Sequence, residues 1–133
     1  MAQASTSRQG RPLSPHLSVW RWGPAMAVSI FHRITGQGMA FVGLPLLLWW
    51  VGAVASGRDA YATFQEHMGA WYGMIVLIGL TWAFFQHMSS GLRHWVLDTG
   101  AGYELDTNNR WSLGVFVSGL VLTALFWAFV LLR

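Results

Sequence analysis

Three stretches of this chain contain no Asp, Glu, Lys or Arg: Ile34 to Ser56, Met68 to Leu92 and Trp111 to Leu132. Wound into α-helix at ~1.5 Å per residue, each is long enough to cross the ~30 Å hydrocarbon core of a bilayer. Only 10% of the 133 residues are charged while 54% are hydrophobic, about half the charged share of an ordinary soluble domain. The runs are too long for the strands of a membrane barrel and lack the alternation such strands need. The fold class is therefore an all-α membrane protein with three transmembrane helices. A soluble helical core is the alternative. Against it, Trp20, Trp22, Trp71, Trp95 and Trp111 stand near the ends of the runs, where interfacial aromatic belts form.

All eight basic residues are arginine. Arg8, Arg11, Arg21 and Arg33 precede or open the first run, and Arg93 and Arg110 flank the second connection; only Arg58 and Arg133 fall on the other side. Six against two puts the amino terminus and the second connection in the cytoplasm or matrix by the positive-inside rule. The expected organisation is a cytoplasmic arm (1–23), helix one (24–55), an extracytoplasmic loop (56–67), helix two (68–96), a cytoplasmic loop (97–110) and helix three (111–133). Pro24 suits a first helical turn, and Pro45 removes one backbone bond inside helix one and predicts a mild kink there.

The chain has no cysteine, which excludes disulfides, thiolate metal ligands and iron–sulfur clusters held within it. A redox metal bound here must use histidine. Met1 to Gly10 is polar and has no apolar core, unlike a cleaved secretory signal. Its Ser, Thr and Arg bias is that of a transit peptide but its shortness favours a bacterial cytoplasmic membrane over the mitochondrial one. The net charge of +3 reflects topology, with nothing pointing to nucleic acid.

Two polar clusters interrupt the apolar runs. Ser29, His32 and Arg33 are spaced i, i+3, i+4 near the start of helix one, so they share one side of the helix close to the hydrocarbon boundary. A quinone headgroup has two carbonyls that become charged on reduction, and a hydroxyl beside a guanidinium supplies donors for them. The competing reading is that Arg33 snorkels to lipid phosphate and Ser29 packs between helices. His87 opens the second cluster, six residues before Arg93 and hence about 9 Å deeper. Ser90 and Gly91 follow on the same face, small enough for a flat porphyrin to approach, and His94 returns to that face about 10.5 Å nearer the cytoplasm, where haem propionates would emerge. The competing reading makes His87 a hydrogen-bonding residue between helices and Gly91 a packing contact. His94 lies too far from His87 to share one iron. Because the crossings alternate in direction, both clusters are expected beneath the same leaflet.

The segments Arg11-Pro12-Leu13-Ser14-Pro15-His16, Ser29-Ile30-Phe31-His32-Arg33-Ile34-Thr35-Gly36 and His87-Met88-Ser89-Ser90-Gly91-Leu92-Arg93-His94-Trp95-Val96-Leu97-Asp98 resemble, in that order, the cytochrome b membrane-anchor (third) subunit of succinate dehydrogenase, the succinate:quinone oxidoreductase of respiratory complex II. The resemblance implies that His87 is an axial ligand of haem b, with the opposite ligand supplied by a second three-helix anchor subunit that packs against this one. It puts quinone contacts on Trp22, Ser29 and Arg33, with Ser29 and Arg33 carrying the catalytic role. His32 and His94, and less directly Arg93, would approach the haem propionates. The partners implied are a flavoprotein subunit, an iron–sulfur subunit, the second anchor, membrane lipids and the quinone. Succinate would be oxidised in the flavoprotein and quinone reduced beside this chain, which is not catalytically sufficient alone. A haem-free structural anchor, a fumarate reductase subunit working in reverse, and an unrelated three-span subunit in which His87 and Arg33 line a transport route are the alternatives.

Overall fold

The computed structural model describes residues 22–133, which are helical apart from short turns and contain no strand. Arg8, Arg11, Arg21 and the segment Arg11 to His16 lie outside the described residues. Three helices are long and apolar enough to cross a membrane: Pro24–Ser56, Trp71–Asp98 and Leu105–Leu132.

The first of these is built from α1 (Pro24–Gly38), a π-helical turn (Met39–Gly43) and α2 (Leu44–Ser56). Pro24 occupies the opening turn, where its missing N–H costs nothing. Pro45 has no N–H to offer the carbonyl four residues back. Just before it the helix widens by one residue, the Leu44 N–H donating to Met39 O, five back. A π turn of this kind re-satisfies backbone groups that lipid cannot. Beyond it the span parts from the bundle. Helix α1 packs on both later spans, whereas α2 contacts the π turn and α3 but, among the described residues, neither of the later spans.

Residues 56–67, expected as a loop, instead contain most of helix α3 (Arg58–Gly69). Gly57 turns the chain at φ 104°, a conformation that favours glycine. Asp59 then sits in the first turn, where its charge complements the helix dipole. One side of α3 is polar and exposed, with Arg58, Asp59, Gln65 and Glu66. The other brings Phe64 edge-on to Trp49 of α2 at 5.0 Å. Such a two-sided helix suits the headgroup layer.

Helices α4 (Trp71–Asp98) and α5 (Leu105–Leu132) follow. Helix α5 begins before Trp111 because Gly100 and Gly102, at φ 85° and 80°, complete the reversal early, and Asp106 supports its first turn. Helix α4 is the centre of the bundle, touching α1, α3 and α5.

The α4–α5 seam is polar as well as close-packed. Gln86, Ser90 and Arg93 recur at helical spacing on the buried side of α4, and Ser112 and Thr123 face the interior from α5. Ser112 and Thr123 return their hydroxyl protons to the carbonyls of Asn108 and Gly119, each at 2.7 Å. The Arg93 Nη2 donates to Asn108 Oδ1, tying the two helices together. At Gly119 the helices almost touch: a Cβ there would run into Gln86 Oε1 and lie 3.2 Å from Gln86 Cα. A larger side chain must push against backbone, at a typical cost of 1–3 kcal/mol. Gly119→Leu is therefore expected to lower the thermal midpoint of the purified complex and the yield of this chain in membranes. Gly114→Leu, on the same helix with open space at its Cβ position, should leave both near their original values.

Candidate functional site

The two polar clusters meet at the α1 end of the bundle. The imidazoles of His32 on α1 and His87 on α4 stack with centroids 3.8 Å apart and planes 10° from parallel. The His94 ring stands edge-on to His32 at 5.2 Å. Gly91, one turn beyond His87, lies against the same group, its Cβ position 4.0 Å from His32 Cε1. Three histidines from two helices thus form one cluster at the same end of the bundle, His32 meeting rings from His87 and His94 that lie more than fifty residues away in sequence.

His87 is held by α1. Its Nδ1 lies 3.0 Å from the backbone carbonyl of His32 and 3.3 Å from Thr35 Oγ1. A carbonyl oxygen only accepts, so Nδ1 is the nitrogen that carries the proton. The Thr35 hydroxyl spends its own proton on Phe31 O at 2.7 Å and so can only accept from His87. In the neutral ring this leaves the lone pair on Nε2, which has no hydrogen-bond partner among the described residues. Sequence alone made His87 a candidate; the tautomer comes from the contact with α1.

The remaining residues separate into two groups. Val28, buried completely, and Thr35, 2% exposed, mark the packed stripe of α1, and His32 lies on it. Ser29 and Arg33 are exposed, about 40° from each other around the helix and turned off that stripe. No ion pair or hydrogen bond of their side chains occurs among the described residues. Trp22 is also exposed at the start of the described chain. Arg93 does not join the histidines: its guanidinium is buried against α5 and engaged with Asn108. Thr35 and Gly36 had no role in the sequence reading beyond their place in a motif. Their signal was present in the i+3 and i+4 spacing from His32, but only the packing of α4 shows what they meet.

An apolar groove opens beside this cluster. It runs between the first span and α4, lined by Thr35, Gly38 and Val42 on one side and Gly79, Leu80 and Ala83 on the other. The two glycines leave bare backbone along it, and Ala83 lies one turn from His87. The half-buried His87 ring is thus followed along the bundle by an apolar groove that shares Thr35 with its surroundings.

An apolar three-span bundle with a histidine cluster near one end is the architecture of a membrane anchor, and comparison with known proteins agrees. The chain belongs to the succinate dehydrogenase/fumarate reductase transmembrane subunit family, which it matches over residues 7–126. Similar proteins include the succinate dehydrogenase cytochrome b556 subunit of Paracoccus denitrificans, 37% identical over 92% of this chain and 93% of the relative. The cytochrome b556 subunit of Rickettsia felis is 32% identical over 88% of this chain and 90% of the relative. The cytochrome b560 subunit of Reclinomonas americana is 34% identical over 83% and 78%.

Proposed function

We propose that this chain is the haem b-ligating anchor of a succinate:quinone oxidoreductase and forms part of its quinone-reduction site. The observation that carries the reading is the hydrogen bond from His87 Nδ1 to the His32 carbonyl. A backbone acceptor on one imidazole nitrogen fixes the ring and leaves the other nitrogen for a metal, the usual outer-shell arrangement of a ligating histidine. The residues present suit a haem in three further ways: the groove beside Thr35 is apolar, as a porphyrin face would require, His32 and His94 would offer donors toward the boundary, and Gly91 adds no bulk. The group itself supplies a one-electron redox centre, whose potential depends on axial ligands and burial. His87 would be one ligand and the second anchor subunit would supply the other.

The quinone contacts are assigned to the exposed face of α1. Ser29 would hydrogen-bond one quinone carbonyl. Arg33, permanently charged, would stabilise the negative charge that builds on the quinone oxygens. Trp22, just before the start of α1, would border the headgroup. Exposure of these groups in the single chain accords with a site completed by neighbouring subunits, the iron–sulfur subunit and the second anchor among them. Succinate is oxidised elsewhere, at the flavoprotein subunit, and this chain holds the soluble subunits to the bilayer. The arginine distribution favours an amino terminus and an α4–α5 connection on the cytoplasmic face, and the Paracoccus and Rickettsia relatives favour a bacterial inner membrane.

A pyridine haemochrome assay on the purified complex tests the proposal. One b-type haem per copy of this chain is expected. A complex that reduces quinone with no haem would make the chain a structural anchor.

A further inference from the structure

Gly36 is a position on α1 where a side chain would collide with the His87 ring. A Cβ built there would lie 2.8 Å from His87 Cε1 and 3.3 Å from Nδ1, well inside the ~3.5–4.0 Å at which carbon atoms pack favourably. One residue earlier, Thr35 is 2% exposed and its hydroxyl faces Nδ1 at 3.3 Å while donating to Phe31 O at 2.7 Å. The His32 ring covers one flat face of the imidazole at 3.8 Å. The ring is thus bounded in its plane by bare backbone at Gly36, at Nδ1 by a carbonyl and a hydroxyl, and on a face by a second imidazole.

We propose that Gly36 and Thr35 are positioning residues for His87, forming a seat on α1 that sets the rotation and proton placement of the imidazole and so the direction of Nε2. The proposal rests on the reading of His87 as a haem ligand. A methyl group at Gly36 must displace the ring from its contact with α1, because the atoms it meets belong to a short side chain stacked beneath His32. Loss of the Thr35 hydroxyl leaves Nδ1 with the His32 carbonyl alone and shifts the ring's resting orientation about that one remaining bond. Either change alters the ligand orientation without removing the ligand, which separates the seat from His87 itself.

The test uses the whole purified complex carrying Gly36→Ala, Thr35→Val or Thr35→Ser. Gly52→Ala on the same span, where a Cβ meets nothing within 4 Å, is the control for adding a methyl to that helix. The readouts are haem content, the highest-g line of the ferric haem in electron paramagnetic resonance, and the haem midpoint potential. Gly36→Ala is expected to lower haem content at least twofold or, where haem is kept, to shift the g line and the midpoint potential. Thr35→Val is expected to shift the same line, Thr35→Ser to restore it, and Gly52→Ala to match the unmodified complex. If Gly36→Ala prevents assembly, the threonine pair decides. A Thr35→Val complex indistinguishable from the original would overturn the seat, as would Gly36→Ala with all three readouts unchanged. Retention of an unaltered haem in His87→Ala would instead overturn the ligand assignment beneath it, so the two failures are told apart.

Discussion

Replacing His87 by alanine is expected to remove the b-type haem from the purified complex, abolishing the α band in the reduced-minus-oxidised spectrum. The chain has no cysteine; His32 stacks on His87 from another helix and His94 meets His32 rather than His87, so neither can take the place of Nε2 without leaving its own position. His32→Ala provides the contrast. It strips away the stacked ring but keeps the main-chain carbonyl that accepts from His87 Nδ1, and should therefore retain the haem with a shifted midpoint potential. Loss of haem in both variants would mean that the cluster holds the group collectively rather than through one ligand.

Arg33→Leu is expected to lower kcat/KM for quinone by roughly 100-fold, the effect typical of losing one preorganised donor from a site where charge develops, while leaving the haem spectrum as it was. Arg33 makes no ion pair or hydrogen bond among the described residues and is exposed on α1, so leucine there breaks nothing in the chain's own packing. The loss then reports on the substrate site. Ser29→Ala, which removes a neutral hydrogen bond of about 1 kcal/mol, should cost only about fivefold. Succinate oxidation measured with a soluble dye should survive both changes, because that reaction takes place in other subunits. If quinone reduction proceeds undiminished in Arg33→Leu, the headgroup lies elsewhere.

The spans were legible in the sequence because lipid imposes a strict rule: charge must leave the hydrocarbon, and the stretches around Leu47, Ile78 and Val121 obey it. The meeting of His32 and His87 was legible for a related reason. Successive crossings alternate in direction, so the start of the first span and the end of the second, which carry the two histidines, fall at one end of the bundle. What could not be read was anything decided between elements. Arg58, Asp59 and Glu66 interrupt the apolar pattern and so suggested a loop, yet the alternation of Tyr61, Phe64 and Met68 with polar residues is that of an interfacial helix, stabilised by Trp49 from another element. Pro45 predicted a perturbed helix, but whether it kinks or widens depends on how the carbonyls before it find donors. The shared spacing of Ser29, His32 and Arg33 concealed a division: a small rotation puts His32 on the packed stripe and leaves the other two outside. Arg93 was grouped with the histidines by proximity in sequence, whereas the turn of α4 carries it to Asn108. Thr35 and Gly36 were hidden because their importance lies in the ring of a residue fifty positions away.

The most direct measurement is an experimental density map of the intact, haem-loaded complex. An iron atom is expected within bonding distance of His87 Nε2, with Nδ1 still donating to the His32 carbonyl and the Arg33 guanidinium beneath the same leaflet. An iron bound away from His87, or Arg33 and His87 beneath opposite leaflets, would contradict it.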